Sequence, residues 1–268
     1  MWTVVCNMTN MNQHARTIRQ RIIELAYGAG KKGAHIAPSL SMVEIMVALT
    51  QQYDKGCDEI ILSKGHGGLG YYCALAEAGL LDPDVLSHFE ENGGPLPGQP
   101  SKNPAIGIPY SGGSLGMGLP YAAGLAHAKK LTGKAGRIYV VLGDGECNEG
   151  VIWESAMLAK QLQLDNLTAV VDCNGMQSDG FTKDILNVDL MNIWKAHGWN
   201  CVECDGHDVN ALLQALRQKE AGTPQVILAR TVKGCGVSFM ENNRIWHHNH
   251  LTAQQYQDAM KELNADGT

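Results

Sequence analysis

The 268-residue chain has little that would tie it to nucleic acid, to a membrane or to an oxidising compartment. It carries no basic run and a formal net charge of −6, so it lacks the cationic footprint that a polyphosphate backbone or an anionic bilayer requires. No apolar run approaches the roughly 20 residues that cross a bilayer. The opening MWTVVCNMTN has neither a positive region nor a long apolar stretch, so no secretion signal is expected there. Eight cysteines, at 6, 57, 73, 147, 173, 201, 204 and 235, follow no framework spacing, and reduced thiols in a cytoplasmic protein are the expectation. Cys201-Val-Glu-Cys204 is formally C-x-x-C, but it lies in a strand-like run with no partner pair, which makes zinc or redox chemistry the lesser reading. Phenylalanine is scarce, at 3, whereas 31 Gly and 11 Met suit an α/β protein whose backbone turns closely around ligands. With 44% hydrophobic and 18% charged residues, the composition is globular and the length supports one sizeable core in one domain spanning residues 1–268.

The chain is organised around residues 137–180. Ile138 to Leu142 reads as a strand, Gly143-Asp144-Gly145 as a tight turn, Val151 to Gln163 as a helix and Leu167 to Val171 as a second strand that ends in Asp172-Cys173-Asn174-Gly175. Two β-branched runs joined through one helix form a βαβ unit, which brings both strand ends to one edge of a parallel sheet. Asp144 and Asn174 therefore meet. A carboxylate and an amide oxygen at such an edge make a hard-oxygen site suited to Mg²⁺ or Ca²⁺, and glycines beside Asp144 let backbone N–H groups approach a phosphate. Gly-Asp-Gly alone is a common turn. With Asn174 placed after 28 intervening residues, the pair resembles the signature of thiamine-diphosphate (ThDP) proteins, which implies Asp144, Asn174 and the Met176 carbonyl as metal ligands.

Elsewhere strands and helices alternate. Residues 11–28 have helical periodicity; Met42 to Tyr53 is an expected helix with Ser41 as N-cap and Glu44 at N3, a capping box. Ile60 to Leu62 runs into the glycine loop around His66, and residues 71–79 are helical. Residues 82–110 are turn-rich and irregular, as functional segments often are. Ser111-Gly112-Gly113-Ser114-Leu115-Gly116-Met117-Gly118 leads into a helix over 119–130. After the central unit come a helix (190–197), a strand (200–204), a helix over 209–220 capped by Asp208, a strand (225–229) and a C-terminal helix (252–264). The alternation predicts an α/β fold, a doubly wound, mostly parallel sheet flanked by helices. Taken alone, His35 reads as a surface loop histidine and His66 as either a ligand contact or a solvated turn. His247, His248 and His250 lack a fourth ligand for zinc, and proton handling on hydroxyls suits one of them better.

Taken in order, GAHIAPSLSMVEIM, SKGHGG, GGSLGMG, GDGECNEG with CNGMQSDG, and KGCGVSFMENN with WHH make the chain similar to transketolases over roughly 11–263, specifically to the N-terminal, diphosphate-binding half found as a separate subunit in split transketolases. The resemblance implies ThDP with Mg²⁺ or Ca²⁺. It places His66, Gly145, Lys233 and His247 against the diphosphate, and Gly113, Ser114 and Leu115 against the cofactor's rings. It gives His35 and His247 proton transfer on substrate oxygens, and it puts Glu149 and Glu154 at a dimer interface that connects two active sites. For Glu149 the plain alternative is an anion in the first turn of a helix. The glutamate that drives cofactor deprotonation belongs to the family's other half. The implied assembly is therefore an α2β2 heterotetramer with a C-terminal, pyrimidine-domain subunit, and the chain alone is expected to be inactive.

Three departures bear on substrate. Gln99 stands where the family usually has a histidine near the donor's C1 and C2 oxygens; it can hydrogen-bond but not act as acid or base. Pro38 replaces a hydroxyl residue near the cofactor, and Glu90 and Glu91 stand where basic residues are common. The expected reaction is transfer of a two-carbon ketol unit from a ketose, phosphorylated in the usual case, to an aldose. The alternatives are another ThDP reaction (2-oxo acid decarboxylation or deoxyxylulose-phosphate synthesis) or a non-catalytic interaction protein that keeps the fold.

Overall fold

The computed structural model describes residues 8–265; residues 1–7, with Cys6 and most of the stretch read for a secretion signal, lie outside the described residues. Strands β1 (Glu59–Leu62), β2 (Ile138–Gly143), β3 (Leu167–Cys173), β4 (Asn200–Asp205) and β5 (Gln225–Arg230) form one sheet, ordered β1-β2-β3-β5-β4 and parallel throughout. The helices are α1 (Met8–Gly28), α2 (Ala37–Leu40), α3 (Val43–Gln52), α4 (Gly68–Glu77), α5 (Gly118–Leu131), α6 (Gly150–Gln161), α7 (Thr182–Ile185), α8 (Leu190–Ala196), α9 (Val209–Arg217) and α10 (Ala253–Ala265).

β2 and β3 are buried at every residue, as a parallel sheet covered on both faces requires. Side chains alternate between two cores. Val140, Leu142, Ala169, Val171, Val226 and Leu228 pack under α5, α6 and α8, where Leu119, Ile152 and Trp194 meet them. Tyr139, Val141, Val170, Ile227 and Ala229 point the other way, toward Ile18 and Ile22 of α1, Ile45 of α3 and Leu212 of α9. The last strands explain why both faces are covered. The chain leaves β3, passes the place of β5 to lay down β4, then turns back, and a right-handed crossover run backwards puts α9 on the face opposite α8. α9 buries Val209, Leu212, Ala215 and Leu216, a stripe at helical spacing, and Asp208 caps it by accepting from the Asn210 and Ala211 N–H groups.

The capping box before α3 does not form. Met42 is the N-cap and has no side-chain cap. The Ser41 hydroxyl instead donates to Asp172 at 2.6 Å, and Glu44 is buried against Arg19, whose guanidinium donates to both its oxygens. A charge-assisted pair to a buried carboxylate outweighs a single cap bond to the backbone. The expected start of the central helix also shifts: a short 3₁₀ turn, Gly145–Asn148, precedes α6. Residues 82–110 are irregular as expected, with 3₁₀ turns at Pro83–His88 and Pro104–Ile106. Cys201 and Cys204 fall on opposite faces of β4, one packed on each core, so they share no site. The described cysteines are free, and among the described residues no helix is long and apolar enough to cross a membrane.

Candidate active site

Because the sheet is parallel, β1, β2, β3 and β5 all deliver their carboxyl ends, and the loops that follow, to one edge. Register sets Gly143 beside Asp172, so Asp144 and Asn174 follow adjacent strands out of the sheet. Asp144 accepts from the Gly145 N–H at 2.8 Å and the Gly175 N–H at 2.7 Å, which binds the two loops together across one carboxylate. Burial, then the neighbouring Asp172, push the Asp144 carboxyl up to about 6 despite those bonds and Lys64. Asn174 donates to Asp172 at 3.1 Å and accepts from the Met176 N–H at 3.1 Å, which turns the Met176 carbonyl toward the same space. The predicted trio is thus assembled, with that carbonyl 3.4 Å from the Lys233 ammonium.

Facing this acidic pole is a basic one. Lys233, carried just past β5, is 1% exposed and its ammonium lies 2.9 Å from His247 Nδ1. Burial, then Lys64, pull it down to about 8. His66 sits in the glycine turn after β1, its ring centroid 5.3 Å from that of His247, and His35 stands 5.4 Å from His247 and 6.3 Å from His66. Burial, followed for His35 by His248 and Lys233 and for His247 by Lys233 and His35, lowers His35 to about 4 and His247 to about 3; His66 is lowered too. All three imidazoles are therefore neutral at pH 7, held so by desolvation and by one another's positive potential. A cavity of about 210 Å³ lies between the poles, bordered by His66, Leu115, Asp144, Asn174, Met176 and His247; Asp144 also borders a larger one of about 610 Å³ under the loop of α7. Both poles are short of a partner. A cation beside Asp144 and an anion beside Lys233 would each relieve a buried electrostatic cost, which is the requirement a metal diphosphate meets.

Four residues that hold the edge together carried no role in the sequence reading. Lys64 and Asp172, each fully buried, form an ion pair, and Asp172 also accepts from Ser41, Asn174 and Thr231. Lys64 donates its remaining bond to the Pro38 carbonyl at 3.0 Å. Glu146 is buried and accepts from Ser63, from the Gly116 N–H at 2.7 Å and from the Gly143 N–H at 2.9 Å, so one carboxylate fastens β1, β2 and the GGSLGMG loop. The available signal was charge where none is comfortable: Lys64 directly after Ile-Ile-Leu-Ser and Asp172 directly after Ala-Val-Val.

The remaining predicted residues are placed as follows. Gly145 stands where a Cβ would meet Gln177 Cγ at 2.6 Å. Gly113, in a left-handed conformation at φ 126, Ser114 and Leu115 are exposed in the loop before α5, with Leu115 on the cavity. Gln99 extends over that loop, its Oε1 about 3.1 Å from where a Gly113 Cβ would be. Glu149 is exposed on the cavity rim as the N-cap of α6, just before the first turn, and Glu154 is exposed on α6 beside Met157 and Leu158. His35 is half-buried within the cluster and not on the surface. His250 is exposed, and among the described residues no group of three or more His, Cys, Asp or Glu is placed to hold a metal, so the 247–250 histidines form no metal site.

Comparison with known proteins points one way. Residues 27–267 match the family model for the thiamine diphosphate binding domain of transketolase. The chain is 40% identical to one of the two subunits of the apulose-4-phosphate transketolase of Actinobacillus succinogenes, covering 94% of this chain and 95% of that protein. It is 36% identical to a 6-deoxy-6-sulfo-D-fructose transketolase subunit of a Clostridium species, over 96% and 98% of the two chains. Among solved structures, transketolase of Pichia stipitis in complex with sedoheptulose-7-phosphate superposes with a TM-score of 0.87 at 25% identity, over 96% of this chain but 41% of that one. The chain thus spans about two fifths of the full-length enzymes and nearly all of the separate subunits.

Proposed function

The chain belongs to the transketolase family, as its thiamine diphosphate-binding half, and from that premise we propose that it is the N-terminal subunit of a split transketolase moving a two-carbon ketol unit from a ketose to an aldose. The observation that carries this reading is the pair of opposed, unrelieved poles at the carboxyl edge: Asp144 pushed up to about 6 on one side, Lys233 with His35, His66 and His247 on the other. Asp144, Asn174 and the Met176 carbonyl would hold Mg²⁺ or Ca²⁺; Lys233, His66, His247 and the Gly145 backbone would hold the diphosphate; Gly113 to Leu115 would meet the rings. Once bound, ThDP supplies the nucleophilic carbon that accepts and releases the two-carbon unit. This chain's part is to orient and to move protons. His35 and His247, neutral at pH 7, accept protons from sugar hydroxyls as they are and return them to the carbonyl oxygens formed. Gln99, without acid–base chemistry, orients an oxygen by hydrogen bonding.

The relatives named for ketol transfer to or from apulose 4-phosphate and a sulfofructose support a donor or acceptor with an anionic group far from its carbonyl, and favour ketol transfer over 2-oxo acid decarboxylation or deoxyxylulose-phosphate synthesis. The naming of those relatives as subunits also supports a pyrimidine-domain partner. Exposed Met157 and Leu158 on α6, with Glu154 on the same helical face and Met117 exposed before α5, offer an apolar surface for an α2β2 assembly, and the free cysteines suit a reducing cytoplasm. The test is native co-purification with a pyrimidine-domain subunit, scored for bound ThDP, metal and ketol transfer together. A complex that forms and still takes up no ThDP with Mg²⁺ overturns the reading.

A further inference from the structure

The site residues named so far leave one imidazole of the cluster without a role. His66, His247, His35 and His248 stand in a row, with successive ring centroids 5.3, 5.4 and 4.6 Å apart. The first three are half-buried and His248, at the outer end, is exposed. His248 is not a free surface residue, because its backbone is fixed. Ala34 and Asn249 form an antiparallel bridge, with the Ala34 N–H donating to the Asn249 carbonyl at 2.9 Å and the Asn249 N–H to the Ala34 carbonyl at 3.1 Å. That bridge sets His35 and His248 edge to face at an interplanar angle of 76°. Gly33, at φ 72, makes the approach possible: a Cβ there would lie 2.8 Å from the Asn249 oxygen and 3.3 Å from His248 Cε1. Among the described residues neither ring nitrogen of His248 has a hydrogen-bond partner. A side chain with two polar atoms, held rigidly against a proton-transfer group and directed at the mouth of the cavity, is placed for an external ligand.

We propose that His248 is a substrate-contacting residue that hydrogen-bonds a sugar hydroxyl one position outward from the oxygens facing His35 and His247, and so selects among sugars by their stereochemistry there. This rests on the ketol-transfer reading. A row of imidazoles matches a row of successive hydroxyls, and a contact made equally in the bound sugar and in the reacting state acts on binding more than on turnover.

The test uses the assembled two-subunit enzyme, with xylulose 5-phosphate, fructose 6-phosphate and apulose 4-phosphate as donors, unphosphorylated xylulose as a control, and glyceraldehyde 3-phosphate as acceptor. His248→Ala should raise the donor KM about fivefold for at least one donor, the effect of one hydrogen bond, with kcat within about twofold. ThDP affinity, read by fluorescence quenching without turnover, should not change, and His248→Gln should recover most of the loss. A KM unchanged for every donor overturns the proposal, as does a parallel fall in kcat and ThDP affinity, which marks a structural role. A loss confined to phosphorylated sugars overturns the hydroxyl assignment, whereas equal losses for xylulose and its phosphate support it. Wild-type enzyme that binds ThDP and transfers from none of these donors overturns the underlying ketol-transfer reading instead, so the two failures are distinguishable.

Discussion

Replacing Asp144 by asparagine should make the chain more stable without cofactor and less able to hold one. The carboxyl ionises near 6 in the fold against 3.8 for an ordinary aspartate, because burial and Asp172 oppose its charge. Each pH unit is worth about 1.4 kcal/mol, so the ionised group costs the folded state roughly 3 kcal/mol at neutral pH. Asparagine keeps the shape and one acceptor, but its NH₂ faces either the Gly145 or the Gly175 N–H, and losing that bond costs roughly 1–2 kcal/mol. The net gain is then about 1–2 kcal/mol. The pH dependence carries a sign. Between about pH 4 and 6 the folded aspartate still holds a proton that the unfolded one has lost, so wild-type stability falls as pH rises through that window, and the full cost is present above it. The difference in urea unfolding free energy between variant and wild type should therefore grow in favour of the variant from pH 4 to pH 6 and level off beyond. Taking the difference removes other carboxylates, such as Glu44 at about 2, from the comparison. In the assembled enzyme, Mg²⁺ and ThDP should raise the melting temperature of the wild type and leave that of the variant unmoved. A variant no more stable than wild type at pH 7, or one equally stabilised by Mg²⁺ and ThDP, would refute the electrostatic account.

Other outcomes follow from the same site. Binding of ThDP at pH 8 should take up protons, because Lys233 ionises near 8 in the empty cavity and a diphosphate beside it pushes that value up, while Asp144 is already ionised; calorimetry in buffers of different ionisation enthalpy reads the number, and proton release would contradict the assignment. Lys64→Met should destabilise the chain by roughly 3–5 kcal/mol in urea unfolding by leaving Asp172 buried and unpaired, and pairing it with Asp172→Leu should recover part of the loss. His35→Asn should lower kcat of the assembled enzyme by roughly 10²-fold with ThDP affinity kept, as removal of a proton-transfer group does; loss of cofactor instead would assign His35 to the diphosphate.

The sheet and its pole of metal ligands were legible because they are local. β2, α6 and β3 are consecutive, each run is apolar enough to identify alone, and a parallel pair leaves Asp144 and Asn174 no choice of edge. Residues that act across long separations were not legible. Asp172 takes its partners from Ser41, Lys64 and Thr231, which periodicity cannot join, and the same competition misled the reading of α3: Ser41 and Glu44 have the spacing of a capping box, but their side chains are claimed by Asp172 and Arg19. His35 looked like a surface histidine because the segment that covers it, bridged to Ala34 through Asn249, comes from the far end of the chain.

The Lys64–Asp172 pair also bears on how such a chain would decay. Asp144, Asn174 and the row of histidines serve ligands and are a burden to the fold when ligands are gone. Selection for solubility alone would therefore erode them in a descendant that had lost its chemistry. Lys64 and Asp172 cannot drift singly, since either one left behind is a buried charge without a counterion. A relative that keeps this pair and has replaced Asp144 has thus retired from catalysis while still folding as its ancestor did.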